Sequence, residues 1–127
     1  MLHLDTSVLV DALTGPRRSA ASLRAAIDTG ERIQFSTIVL YEWLRGSRHP
    51  TELADQEALF PQDAAVPFGP IEAAHAARLS TRIKRPRGRD IDLAIAACAL
   101  AHGAQLWTLN GKDFADIPGL ALYHAIT

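Results

Sequence analysis

The stretch Met1-Leu2-His3-Leu4-Asp5-Thr6-Ser7-Val8-Leu9-Val10-Asp11 decides how the rest of the chain is read, because a short apolar run stops abruptly on a carboxylate. Leu2–Leu4 is too short for a helix and reads as a buried strand, while Thr6 and Ser7 are N-cap types for the apolar turn that follows. Asp5 then stands at the carboxyl end of a strand. In open α/β sheets that edge is where ligands bind, since strand ends and helix N-termini converge there and leave a crevice. An ordinary turn explains one such aspartate equally well, so its meaning depends on what the remaining chain brings to it.

Outward from this stretch, residues 8–13 read as a helical turn, the break at Thr14-Gly15-Pro16 follows, and helix formers resume over 19–27 until Gly30. Ile33-Gln34-Phe35 is a compact strand candidate; Ser36 and Thr37 are caps for a helix over 38–45, halted by Gly46. A helix over 52–60 is expected with Thr51 as its cap, a short edge strand over 64–68 that tolerates Pro67, and a long helix from Gly69-Pro70 to about Lys84. Residues 91–101 are apolar on every side apart from Asp92, the mark of a helix buried on most faces. Strands over 105–108 and 120–123, separated by the Asn110-Gly111 turn and a helical turn over 113–117, complete the chain. Strands alternating with helices predict a three-layer α/β/α sandwich around a mainly parallel sheet.

The bulk numbers fit one domain: 127 residues, 48% hydrophobic and 21% charged. No run approaches the roughly 18 apolar residues of a membrane span, and Asp5 interrupts the apolar start too early for a signal peptide. A cytoplasmic protein that does not engage membranes is expected. Cys98, the only cysteine, excludes an internal disulfide and any multi-cysteine zinc site, and reads as a small core residue. The five histidines show no metal-ligand spacing with the acids and read mostly as surface or helix-end residues. No Gly-rich phosphate loop is present. Net charge is −1, with 11 Arg to 2 Lys. Five of the eight residues over 82–89 are basic, an exposed loop that either is simply solvated or holds phosphates beside Asp92.

Three acids lie where acids are disfavoured. Glu42 is flanked by Ile38-Val39-Leu40-Tyr41 and Trp43-Leu44, so its charge needs a partner, either Arg45 or something bound. Asp92 opens an apolar helix; the dipole alone explains an acid there, although Asp90 fits better as the cap and frees Asp92. Asp113 follows the strand that ends at Thr108. In a parallel sheet Asp5, Thr108 and Asn110 share one edge, where the acids converge. Two carboxylates about 4 Å apart repel by roughly 4 kcal/mol at an effective dielectric near 20. A proton on one member relieves that, and a divalent cation relieves it better; hard oxygen donors without Cys or His select magnesium or manganese over zinc. Such an ion suits phosphodiester hydrolysis.

With these pieces in place the sequence resembles PIN-domain nucleases, and within them the VapC toxins of type II toxin-antitoxin pairs. The resemblance runs the whole chain, treated as a single domain over 1–127. It is carried by the opening strand into Asp5-Thr6-Ser7, the Glu42 helix, and Asp92-Leu93-Ala94-Ile95-Ala96-Ala97 followed by Thr108-Leu109-Asn110-Gly111-Lys112-Asp113-Phe114. It implies a magnesium- or manganese-dependent endoribonuclease, homodimeric, acting on cellular RNA and held inactive by a cognate VapB-type antitoxin. Carried onto this sequence, it makes Asp5, Glu42 and Asp92 the catalytic acids and metal ligands. The fourth acidic position is Asn110 here, which leaves Asp113 as the substitute carboxylate, and Ser7 or Thr108 to position a water. Tyr41, Trp43, Leu44 and the helix over 52–60 supply either core or an antitoxin surface.

Two other readings compete. A phosphatase of the haloacid-dehalogenase type also starts from a strand-end Asp but needs a second Asp two residues on, where this chain has Ser7. A non-catalytic PIN-like module would use the same acids only to dock a basic partner.

Overall fold

A computed structural model of the chain describes residues 1–125. Its sheet is three parallel strands, β1 (Leu2–Leu4), β2 (Ile33–Gln34) and β3 (Gln105–Trp107), in the order β2-β1-β3. Leu2 pairs with Ile33 on one side and Gln105 on the other, and Leu4 with Trp107. The central strand is buried along its whole length, as expected for a parallel strand covered on both faces. Its ladder continues one residue further, where Asp5 N donates to Trp107 O at 2.8 Å.

Six α-helices complete an α/β sandwich: α1 (Thr6–Leu13), α2 (Ala20–Asp28), α3 (Thr37–Arg45), α4 (Pro50–Leu59), α5 (Pro70–Arg82) and α6 (Asp90–Ala101). Helix α1 packs on α2, α3 and α4, while α6 packs on α5, α3 and β3. Every residue of α6 from Leu93 to Ala99 is buried, which is why its sequence is apolar all round. Cys98 is fully buried there, its thiol pushed up to about 11 by desolvation. No helix of the described residues is long and apolar enough to cross a membrane.

Several expected boundaries move for local reasons. Asp5, not Thr6 or Ser7, occupies the N-cap position of α1, and its side chain makes no capping bond. His49 precedes α4 in place of Thr51: Pro50 takes the first helical position, where its missing N–H costs nothing, and Glu52 Oε1 accepts from His49 N at 2.8 Å. Arg89, not Asp90, precedes α6. The expected strands over 64–68 and 120–123 shrink to single parallel bridges, Ser36 with Val66 and Leu106 with Leu122. Pro67 cannot donate to a longer ladder, and Leu120, Leu122 and Tyr123 are only half-buried, with little apolar face to extend the second. Over 113–117 the helical turn is a 3-10 turn placed earlier, Gly111–Asp113.

His3 is the histidine that departs from its expected surface location. It is buried on β1, neither ring nitrogen has a hydrogen-bond partner among the described residues, and desolvation followed by the charge of nearby His102 lowers its pKa to about 4. It is therefore a neutral core ring. The phenol of Tyr41 and the side chain of Leu44 are exposed, whereas Trp43 is fully buried with its indole N–H donating to Gln56 Oε1 at 3.3 Å. Of that proposed surface, Trp43 is core.

Candidate active site

The carboxyl ends of the strands open on a cavity of about 490 Å³ bordered by Asp5, Glu42, Asp92 and Asn110. Four separate elements deliver these groups: the end of β1, the middle of α3, the first turn of α6 and the segment after β3. The parallel register accounts for the first and last, since Asp5 and Thr108 follow the paired residues Leu4 and Trp107.

Asp5 is 5% exposed. Ser7 Oγ and Thr108 Oγ1 both donate to its Oδ2, at 2.8 and 2.7 Å. Backbone groups hold those hydroxyls in turn: Leu109 N donates to Ser7 Oγ and Asn110 N to Thr108 Oγ1, each at 3.0 Å. Both side-chain donors land on one oxygen, and among the described residues Oδ1 has no hydrogen-bond partner. The β3 edge thus locks the β1 carboxylate.

Glu42 is held from α1, where Thr6 Oγ1 donates to Oε1 at 2.6 Å. Its other oxygen lies 3.7 Å from Arg45 Nη2, so the local ion pair anticipated for this acid exists, with an arginine that is 58% exposed. Such a pair is weak and readily exchanged. Thr6 was legible only as a cap; its real partner lies 36 residues away, and no local pattern carries that signal.

Asp92 makes no side-chain hydrogen bond among the described residues. Its carboxyl is pushed above the ordinary range, first by burial and then by the charges of Asp5, Asp113 and Glu42, with Arg89 partly opposing. Asp113 sits apart. It is exposed on the 3-10 turn and does not border the cavity, whereas Asn110 does. Asp11, to which the sequence assigned no role, also borders the cavity and accepts from Ser19 Oγ at 2.6 Å.

The basic loop is divided in its use. Arg89 makes a two-pronged contact with Asp116, Nη1 to Oδ2 at 2.8 Å and Nη2 to Oδ1 at 2.7 Å, and donates again to Asp113 O at 2.7 Å. These bonds raise its pKa and lower that of Asp116. Arg89 therefore ties the turn after β3 to the start of α6 and is withdrawn from any phosphate. The other basic residues of 82–89 do not border the cavity.

All donors around the cavity are hard oxygens, carboxylates with hydroxyls and an amide behind them, which fits a hard divalent cation and not zinc. Among the described residues no three His, Cys, Asp or Glu side chains stand close enough to enclose an ion unaided. An open carboxylate set of this kind suits an ion that keeps several waters, as magnesium does.

A three-stranded parallel sheet with helices on it, and acids gathered beyond its carboxyl edge, define the class: the PIN domain model matches residues 2–120, and the chain belongs to the PIN domain family. Within that family it is similar to Ribonuclease VapC19 of Mycobacterium tuberculosis, with 36% identity over 122 residues covering 94% of this chain and 97% of the relative. Among solved structures it resembles a toxin-antitoxin complex from Klebsiella pneumoniae, at TM-score 0.74 and 27% identity, covering 99% of this chain and 100% of the other. The DNA-bound VapBC of Salmonella typhimurium superposes at TM-score 0.81 with 22% identity, covering 96% of each chain, a likeness of fold.

Proposed function

We propose that this chain is a metal-dependent endoribonuclease, the toxin of a type II toxin-antitoxin pair. The observation that carries the reading is the meeting of Asp5, Glu42 and Asp92 around one cavity at the carboxyl edge of the sheet. The named ribonuclease relative and the toxin-antitoxin neighbour support it.

Asp5, Glu42 and Asp92 are the groups that would hold Mg2+ or Mn2+. When bound there, such an ion would supply charge against the phosphodiester oxygens and would make water a better nucleophile at neutral pH. The protein's own part is orientation. Ser7 and Thr108 fix Asp5 Oδ2 and leave Oδ1 for a ligand; Thr6 fixes Glu42 Oε1, with Arg45 3.7 Å from the other oxygen. Of the two candidates for the fourth position, Asn110 borders the site and contributes an uncharged amide, while Asp113 acts through its field on Asp92.

The partner is a VapB-type antitoxin, and the toxin works as a homodimer. A trough of about 370 Å³ between α1, α2 and α4, lined by Leu13, Leu23 and Leu59 together with Arg24 and Asp28, offers a seat for an antitoxin segment.

Purified protein incubated with RNA in Mg2+ or Mn2+ is expected to cut it, and to lose all cutting in EDTA. Full activity in EDTA overturns the metal-dependent reading.

A further inference from the structure

Among the described residues, Arg18, in the loop between α1 and α2, is the one basic residue that borders the cavity gathering the carboxylates. Arg18 makes no ion pair among the described residues. Its neighbour Arg17 is turned elsewhere, with Nη2 3.0 Å from Asp55 Oδ2 on α4. The backbone between them is unusual: Arg17 has φ 55°, and among the described residues it is the one non-glycine in the left-handed region. Such a conformation costs a non-glycine on the order of 1 kcal/mol and persists where its surroundings hold it.

Here the surroundings do hold it. Thr14 Oγ1 donates to Val10 O at 2.7 Å, and Ser19 Oγ to Asp11 Oδ2 at 2.6 Å. An anchored, strained loop thus commits one arginine to α4 and leaves the next at the mouth of an acidic cavity.

A phosphodiester approaching those acids meets like charge, and a cation fixed at the rim lowers that barrier. Guanidinium is suited to the task, because it stays charged at any working pH and its planar fork matches two phosphate oxygens. The nearest alternatives do not border the cavity: Arg89 is committed to Asp116, and Arg45 stands outside the lining.

We propose that Arg18 is the RNA-binding residue of this site, holding a phosphate of the substrate strand at the mouth of the carboxylate cavity. This rests on the nuclease reading above.

The test is binding of a short single-stranded RNA to the non-cleaving Asp5→Asn protein, measured by fluorescence anisotropy from about 50 to about 200 mM salt. Adding Arg18→Ala is expected to weaken binding about 10-fold and to reduce the slope of log affinity against log salt by about one. Arg18→Lys is expected to restore the slope with part of the affinity. Arg78→Ala, which removes the same charge from the exposed surface of α5, is expected to leave both unchanged. In the cleaving protein, Arg18→Ala raises KM and leaves kcat within about two-fold. Unchanged affinity and slope in a folded Arg18→Ala protein overturn the proposal, as does faster cleavage, which would make Arg18 an internal counter-ion of the acids. If wild type cuts RNA and Arg18 does not affect binding, only this proposal fails. If wild type cuts no RNA yet Arg18→Ala loses the salt slope, the nuclease reading fails and the contact stands.

Discussion

Asp5 and Asp92 border the same cavity, but the regions that present them are built on opposite principles. At the sheet edge, Asp5 receives two hydroxyl donors that are themselves pinned by backbone N–H groups. At the start of α6, Asp92 has no such donors and is surrounded by the charges of Asp5, Asp113 and Glu42. The first region is preorganised, and its carboxylate is part of what holds the edge together. In the second, burial first and then the neighbouring acids push the Asp92 carboxyl above the ordinary range, which a bound cation would offset. The rest of α6 is apolar and buried, so the conflict is confined to its first turn, the pattern expected of a functional site.

The largest expected effect is on catalysis, where the two regions should behave alike. Asp5→Asn and Asp92→Asn are each expected to reduce RNA cleavage at least about 100-fold, measured as single-turnover rates at saturating Mg2+. Retained cleavage in either removes that residue from the site. Next, Thr108→Val removes one donor from Asp5 and is expected to raise the Mn2+ concentration for half-maximal cleavage about 10-fold, as loss of a ligand-orienting bond does. An unchanged Mn2+ dependence would mean that Ser7 alone orients Asp5.

Stability should then separate the regions. Without metal, Asp92→Asn is expected to raise Tm by about 2 °C by removing repulsion, while Asp5→Asn, which turns two charge-assisted hydrogen bonds into neutral ones, lowers it. Equal shifts for both would contradict the contrast.

The smallest effect is in pH. Because the Asp92 carboxyl is raised in the folded protein, folding favours its protonated form. Its contribution is greatest below the ordinary carboxylate value near 4 and is lost as pH rises through the raised value. Asp116, lowered by Arg89, works the other way, its contribution present above its ordinary value and lost as pH falls. The Tm difference between Asp92→Asn and metal-free wild type should therefore grow from about pH 4 upward and then level off. A difference independent of pH would place the effect elsewhere than in the charge.

Much of this was readable from residues alone. The three-residue apolar run before Asp5 and the apolar α6 behind Asp92 are strong local patterns, and both elements appear where those patterns put them. An apolar flank on either side of Glu42 marked a carboxylate in need of a partner. What escaped the sequence is contact across distance. The bond from Thr6 to Glu42 spans 36 positions, and that from Thr108 to Asp5 spans 103. Arg89 stands in a basic run that reads as solvated or phosphate-facing, yet Asp116, 27 positions on, claims it with two bonds. Arg18 stood out in no pattern, because its place depends on the turn at Arg17. The strands expected over 64–68 and 120–123 shrank to single bridges, the first because Pro67 cannot donate to a longer ladder and the second because it has little apolar face to bury.

The most direct test of the carboxylate cluster as a cation site is a Mn2+ titration followed by thermal unfolding in wild type and Asp92→Asn. Wild type should gain a rise in Tm that grows with the Mn2+ concentration, about 10 °C at roughly 100 times the dissociation constant, where binding contributes about 2.7 kcal/mol. Asp92→Asn should start higher and gain almost nothing. An equal Mn2+ shift in the two proteins would contradict the role given to Asp92, and no shift in either would contradict the site itself.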